Sequence, residues 1–165
     1  MTLAPPLIDE LTREAATTRR VLDRVPDDRL SWRPHPKSMS LGQLALHIAE
    51  TPSQIAALLS SLQVEAVPFT QAEAASTAEL GPSLDRSVEA ATNALSHWGD
   101  AGLLAEWTFS RGGRTLMKLP RLAMVRSIML NHWYHHRGQL LVYLRLLDVP
   151  VPFVYGPSAD ESPFA

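Results

Sequence analysis

The chain has 165 residues, of which 45% are hydrophobic and 19% charged, with a formal net charge of -2 and no cysteine. That is the balance of one globular domain spanning 1–165; it lacks a basic footprint for nucleic acid, and it excludes disulfides, thiolate-held metal and a cysteine nucleophile. No apolar run reaches the length of a membrane span, and the N-terminus has neither the basic region nor the apolar core of a signal peptide, so a cytoplasmic protein with no membrane partner is expected.

Pro5 and Pro6 suit a helix entry, and Leu7, Leu11, Ala15, Thr18, Leu22 and Val25 recur at helical steps until Pro26 closes the first helix. The stretch from Pro26 to Ser40 has three prolines spaced through it and reads as an ordered connection, with a short turn at Asp27 to Leu30 and Trp32 as its anchor to the core. Ser40 is a good N-cap for a second helix bearing Leu41, Leu44, Ala45, Ile48, Ile55, Leu58, Leu59 and Leu62. Pro52 should kink that helix without ending it, because the apolar phase continues on both sides.

Residues 63–75 show no clear pattern and read as a loop. It leads to Ser76-Thr-Ala-Glu79, which has a capping-box spelling. Gly81-Pro82 is expected to break the helix after one turn and restart it. Leu84, Val88, Ala91, Leu95 and Trp98 then form the stripe of a third helix ending at Gly99-Asp100. Residues 106–110 and 115–119 flank Gly112-Gly113 as a small β-hairpin, and Pro120 opens a long last helix to Leu147. The tail beyond Asp148 holds four prolines, Pro150, Pro152, Pro157 and Pro163, and cannot continue that helix. The expected fold class is all-α, a four-helix bundle with the hairpin inserted before the last helix.

The last helix contains Asn131-His-Trp-Tyr-His-His-Arg-Gly-Gln-Leu140. His132 and His136 are four residues apart, so their rings lie one above the other. Counted at helical steps, Val125, Met129, His132, His136, Gln139 and Tyr143 form one seam, which puts both imidazoles where a bundle buries aliphatic side chains. Hydrogen-bonded core histidines are the bland alternative, but two stacked on one seam would need several buried partners. A metal centre open to chemistry needs three protein ligands and a free position, and His47, on the flank of the second helix, is the natural third.

His135 lies about 80° from the seam and reads as a second-layer or surface residue, although a pairing of His132 with His135 stays open. Gln43 and Glu50, one turn from His47 on either side, either orient its imidazole, contact bound water or simply face solvent. Gln139 is polar at a core position and is placed to donate to a ligand or substrate. Arg137 reads first as a structural ion pair, with contact to a partner subunit or to an anionic substrate as the alternatives. His35 and His97 lie outside any ligand spacing. No nucleophile elbow, phosphate loop, dinucleotide fingerprint or His-Glu-x-x-His motif is present.

Four stretches together resemble the DinB-like (DinB/YfiT) superfamily of metal-binding four-helix bundles: Leu30-Ser-Trp-Arg-Pro-His-Pro36, Ser40-Leu-Gly-Gln-Leu-Ala-Leu-His47, His132-Trp-Tyr-His-His-Arg-Gly-Gln-Leu140, and Tyr143 through Pro152 followed by Tyr155-Gly156. The resemblance implies an up-up-down-down style bundle, a three-histidine site of His47, His132 and His136 completed by water, a zinc, nickel or related divalent ion, and a homodimer. Three imidazoles also suit iron or manganese. Similar proteins include transferases and isomerases that use an external small thiol.

Three functions follow as expectations. The first is a metal-dependent S-transferase that joins a low-molecular-weight thiol to an electrophilic small molecule, with Tyr155 and the tail walling the pocket. The second is a metal-dependent hydrolase with Glu50 as its acid or base. The third is a non-catalytic, stress-response metal protein whose site ties the second and fourth helices together.

Overall fold

The computed structural model describes residues 2–164. Helix α1 spans Ala4–Leu22 with its prolines in the first turn, where their missing N–H groups cost no helical bond. A single 3-10 turn, Asp27–Arg29, follows. Leu41 N–H then donates to Trp32 O and Gly42 N–H to Leu30 O, fastening the connection onto the start of α2. Trp32 packs edge-on against Tyr143 with ring centres 5.6 Å apart, which makes the anchoring contact.

Helix α2, Leu41–Ser60, begins with a capping box: Ser40 Oγ accepts from Gln43 N–H, and Gln43 Oε1 accepts from Ser40 N–H. Pro52 lies inside this one helix. Having no N–H, it leaves the carbonyl of Ile48, four residues earlier, without its helical donor. The indole Nε1 of the fully buried Trp133 fills that vacancy at 2.8 Å. The helix break is thereby converted into an inter-helix hydrogen bond, one residue from His47 on one side and one residue from His132 on the other. Replacing Trp133 with Phe should strand the Ile48 carbonyl and leave part of the indole's volume unfilled, lowering unfolding free energy by at least about 1–3 kcal/mol in a urea titration.

Residues 63–65 are not loop, as the sequence suggested. Gln63–Glu65 forms strand β1, parallel to β2 (Glu106–Arg111), with Val64 opposite Phe109. Strand β3 (Arg114–Pro120) pairs antiparallel with β2 around Gly112 and Gly113, both at positive φ, as a tight hairpin turn requires. The expected hairpin is therefore two strands of a three-stranded sheet in the order β1-β2-β3. Two strands alone are marginal; the third strand and the buried Trp107 supply the packing.

Helix α3 spans Leu80–Leu104. Gly81 and Pro82 do not break it. They lie in its first turn, where the helix has no internal acceptor for the proline to lose. The second expected breaker acts only in part: Gly99 adopts φ 53°, which kinks the helix without ending it.

The final helical run has three parts: α4 (Arg121–Met124), a π-helical stretch Val125–Asn131, and α5 (His132–Leu146). Arg121 anchors its start, donating to Leu59 O at 2.9 Å and Gly102 O at 2.5 Å over the Trp98 ring, so the ends of α2 and α3 are tied to one guanidinium. The wide π turns advance each residue by a smaller angle than an α-helix does. The buried seam therefore runs Val125, Met129, Trp133, Arg137, Leu140 and Leu144, not through His132, Gln139 and Tyr143 as even helical counting predicts. The histidines fall on the flank of that seam, facing α2.

Candidate metal centre

Three side chains from two helices meet beside the Pro52 break. His47 Nε2 lies 3.2 Å from His132 Nε2, and His132 Nε2 lies 3.1 Å from His136 Nε2. One nitrogen from each of the three falls within 4.8 Å of the others. Four donors around a zinc ion at 2.0–2.1 Å would stand about 3.3 Å apart, close to these separations.

The proton positions can be derived for two of the rings. His136 Nδ1 is 2.7 Å from Gln139 Oε1, and a carboxamide oxygen only accepts, so Nδ1 carries the proton and Nε2 presents a lone pair. His47 Nδ1 and Gln71 Oε1 are both buried without a closed hydrogen bond, and the Gln71 side chain lies near enough to favour the protonated ring. A small rotation of Gln71 would give His47 the outer partner that Gln139 gives His136. Lone pairs on His47 and His136 turned toward His132 Nε2 are satisfied either by a proton on that nitrogen or by a cation held among all three, and three imidazole donors at this spacing fit a divalent ion. Burial, followed by the neighbouring imidazoles, lowers the proton affinity of His47 and His132 and holds His136 at about 4, against the pull of Gln139. All three rings are therefore neutral near pH 7, the form that ligates.

The other sequence candidates lie elsewhere. Gln43 is committed to the α2 cap and to Gln71 O, and does not reach His47. Glu50 accepts from Gln54 and faces α3, where burial and then Glu79 raise its carboxyl pKa while Arg86 lowers it. It has no place beside the histidines. Tyr155 donates to Glu14 and accepts from Arg137 on the α1 side, and the tail straps onto α1 and α5 through Glu161 and Asp160. Neither Tyr155 nor the tail walls the histidine site. His135 is exposed, its ring 5.0 Å from that of His136, and takes no part in the three-nitrogen cluster. Arg137 is the structural ion pair the sequence suggested: it is 1% exposed, pairs with Glu14 Oε2 at 2.6 Å and donates to Thr18 Oγ1 at 3.1 Å.

A cavity of about 500 Å³ opens beside His47 and His132. Its walls are Ile55 and Leu58 of α2, Val64 and Phe109 of the sheet, and Phe69 of the following segment, whose ring centre is 6.5 Å from that of His47. Sequence reading missed this half of the site because residues 63–75 lack a helical period. The alternation of Leu62 and Val64, set against a hairpin that needed a partner, was the only available signal.

Replacing Gln139 with Leu should remove the anchor of His136 while leaving all three nitrogens in place. A loss of about 10–100-fold in zinc affinity by competition titration is expected, with little change in the stability of the metal-free chain.

A family model described as the DinB family matches residues 3–163. The uncharacterized protein YrdA of Bacillus subtilis (strain 168) is 26% identical over 151 residues, covering 90% of this chain and 85% of its own. Among solved structures, a DinB-like protein from Bacillus cereus ATCC 10987 superposes with a TM-score of 0.73 at 28% identity, over 93% of this chain and 98% of that one. A DinB-like protein from Bacillus subtilis, YjoA, shares the fold with a TM-score of 0.67 at 23% identity, over 88% and 96% of the two chains.

Proposed function

The chain belongs to the DinB family, and from that premise we propose that it is a divalent-metal protein. In this reading His47, His132 and His136 hold the ion within a four-helix bundle, and the site serves a transferase that joins an external thiol to an electrophilic small molecule. The observation that carries the metal reading is the meeting of three imidazole nitrogens within 4.8 Å of one another, with the outer nitrogen of His136 bound to the Gln139 carboxamide oxygen. Zinc and nickel are the favoured ions, because borderline cations prefer imidazole donors. When bound, such an ion stabilises a thiolate near neutral pH or acidifies a water molecule.

The protein residues supply the remainder. His47 and His132 belong both to the nitrogen cluster and to the cavity wall, so a molecule lodged in the cavity lies against the ligating rings. Val64 and Phe109 give it an apolar wall, with the largely exposed Phe69 at its rim. The chain has no cysteine, so a transferred sulfur must come from a separate thiol. Hydrolysis is the second reading, and it is weakened by Glu50, its sequence candidate for acid or base, facing α3 instead. Pairing of two copies through helix faces belongs to the same proposal, with exposed Val142 and Leu146 one turn apart on α5.

The test is conjugation of 1-chloro-2,4-dinitrobenzene with glutathione, bacillithiol and mycothiol, each with and without zinc or nickel. A metal-dependent rate with at least one thiol is expected. No metal-dependent rate with any of them overturns the transferase reading, and metal-dependent ester cleavage in thiol-free buffer moves the function to hydrolysis.

A further inference from the structure

We propose that the cavity beside His47 and His132 binds an uncharged small molecule with an aromatic or branched hydrocarbon body, and that this body is the electrophile's part of the reaction. It rests on the reading above only for the location of the reacting atoms; the cavity's own chemistry is independent of the metal.

Ile55, Leu58, Val64, Phe69 and Phe109 come from a helix, two strands and the segment after β1, and they present hydrocarbon from several directions around about 500 Å³, room for a compact organic molecule. No lysine or arginine is among the lining residues, and the single carboxylate, Glu65, already accepts from the Gly112 N–H at the hairpin turn. A charged body would lose its hydration there without gaining an opposite partner. A sugar-like body fares little better, because the lining carboxamides are few: Gln54 donates to Glu50, and Gln71 donates to Ala72 O, leaving its Oε1 as a lone acceptor for many hydroxyls. Polarity is concentrated at the histidine end. A ligand therefore enters with its polar or reactive group toward His47 and its hydrocarbon toward Phe109 and Leu58. The hydrophilic portion of any thiol partner stays at the mouth, outside the apolar walls.

The experiment compares two uncharged probes, 1-naphthalenemethanol and methyl glucoside, by calorimetric titration against the full chain as purified, before and after saturation with zinc. Neither probe carries charge, and the titration before zinc addition reads the preference free of any contact between a probe hydroxyl and the ion. The naphthyl probe should bind at least about tenfold more tightly than the sugar in both states. Leu58→Arg, which places a cation in the wall from a half-buried position, should weaken naphthyl binding about tenfold or more. Phe109→Ala, which leaves the fold's charges untouched, should weaken it by a smaller factor. Sugar binding as tight as naphthyl binding, or naphthyl binding unchanged in both variants, overturns the proposal. Absent zinc binding with intact naphthyl binding would instead remove the metal reading and leave this one standing.

Discussion

Replacing His132 with alanine is expected to lower zinc affinity by at least about a hundredfold, more than the loss of any outer-layer partner, because it removes the nitrogen that both other rings approach. The same substitution should do the metal-free chain no harm. His132 is only half-buried, and all that its removal gives up in the metal-free chain is the Nε2 contact it shares with His47 and His136. The diagnostic is the contrast in a thermal scan. At a hundredfold excess of zinc over Kd, the parent chain should gain about 2.7 kcal/mol, or roughly 5–10 °C in Tm, and the variant should gain almost nothing. A melting point that falls in the metal-free variant, with the zinc response preserved, would mean that His132 is a packing residue.

Arg137→Ala is expected to give the largest loss of stability of any single substitution considered for this chain. Its guanidinium is buried against Glu14 and Thr18, receives the Tyr134 and Tyr155 rings on its faces, and donates to Tyr155 OH at 2.5 Å. Removing one partner of such a pair leaves Glu14 with only the Tyr155 hydroxyl, at a cost of about 3–5 kcal/mol when burial is complete. Glu14 keeps 17% side-chain exposure, so the lower end applies, to be read by urea unfolding. The double variant Arg137→Met with Glu14→Met should recover most of the loss, since no charge is then stranded. Recovery would show that the ion pair specifies how α5 meets α1 and the tail more than it stabilises the fold.

What could be read from the sequence divides along the range of the physics. Local rules located the Ser40 capping box, the kink without an ending at Pro52 and the Gly112-Gly113 turn, because each is settled within four or five residues. The pairing of His132 with His136 is equally local, and His47 joined them because it was the histidine on the one other helix flank that suited a third ligand. Errors appear where distant contacts decide. The π turns before His132 shift the seam by one residue, so Trp133 takes the core position that regular counting gives to His132. Glu50 faces α3 because Gln54, Glu79 and Arg86 surround it, and nothing near Glu50 in sequence announces that. Tyr155 follows Arg137 to the far side of α5. Strand β1 exists because β2 offers it an edge, and the cavity exists because β1 and Phe69 then close over α2.

One physical link joins the legible and illegible parts. Pro52 was visible as a defect in α2, but its use was not: the carbonyl it frees is the acceptor for Trp133, and that bond sets the two ligand-bearing helices against each other.

The central claim is that these helices hold one divalent ion through three imidazoles. Calorimetric titration of the chelator-treated full chain with zinc, alongside the His47→Ala, His132→Ala and His136→Ala variants, tests it directly. The account predicts one ion per chain for the parent and a loss of about a hundredfold or more in affinity for each variant. Tight binding that survives any one of the three substitutions, or a parent chain that binds no zinc or nickel, would contradict it.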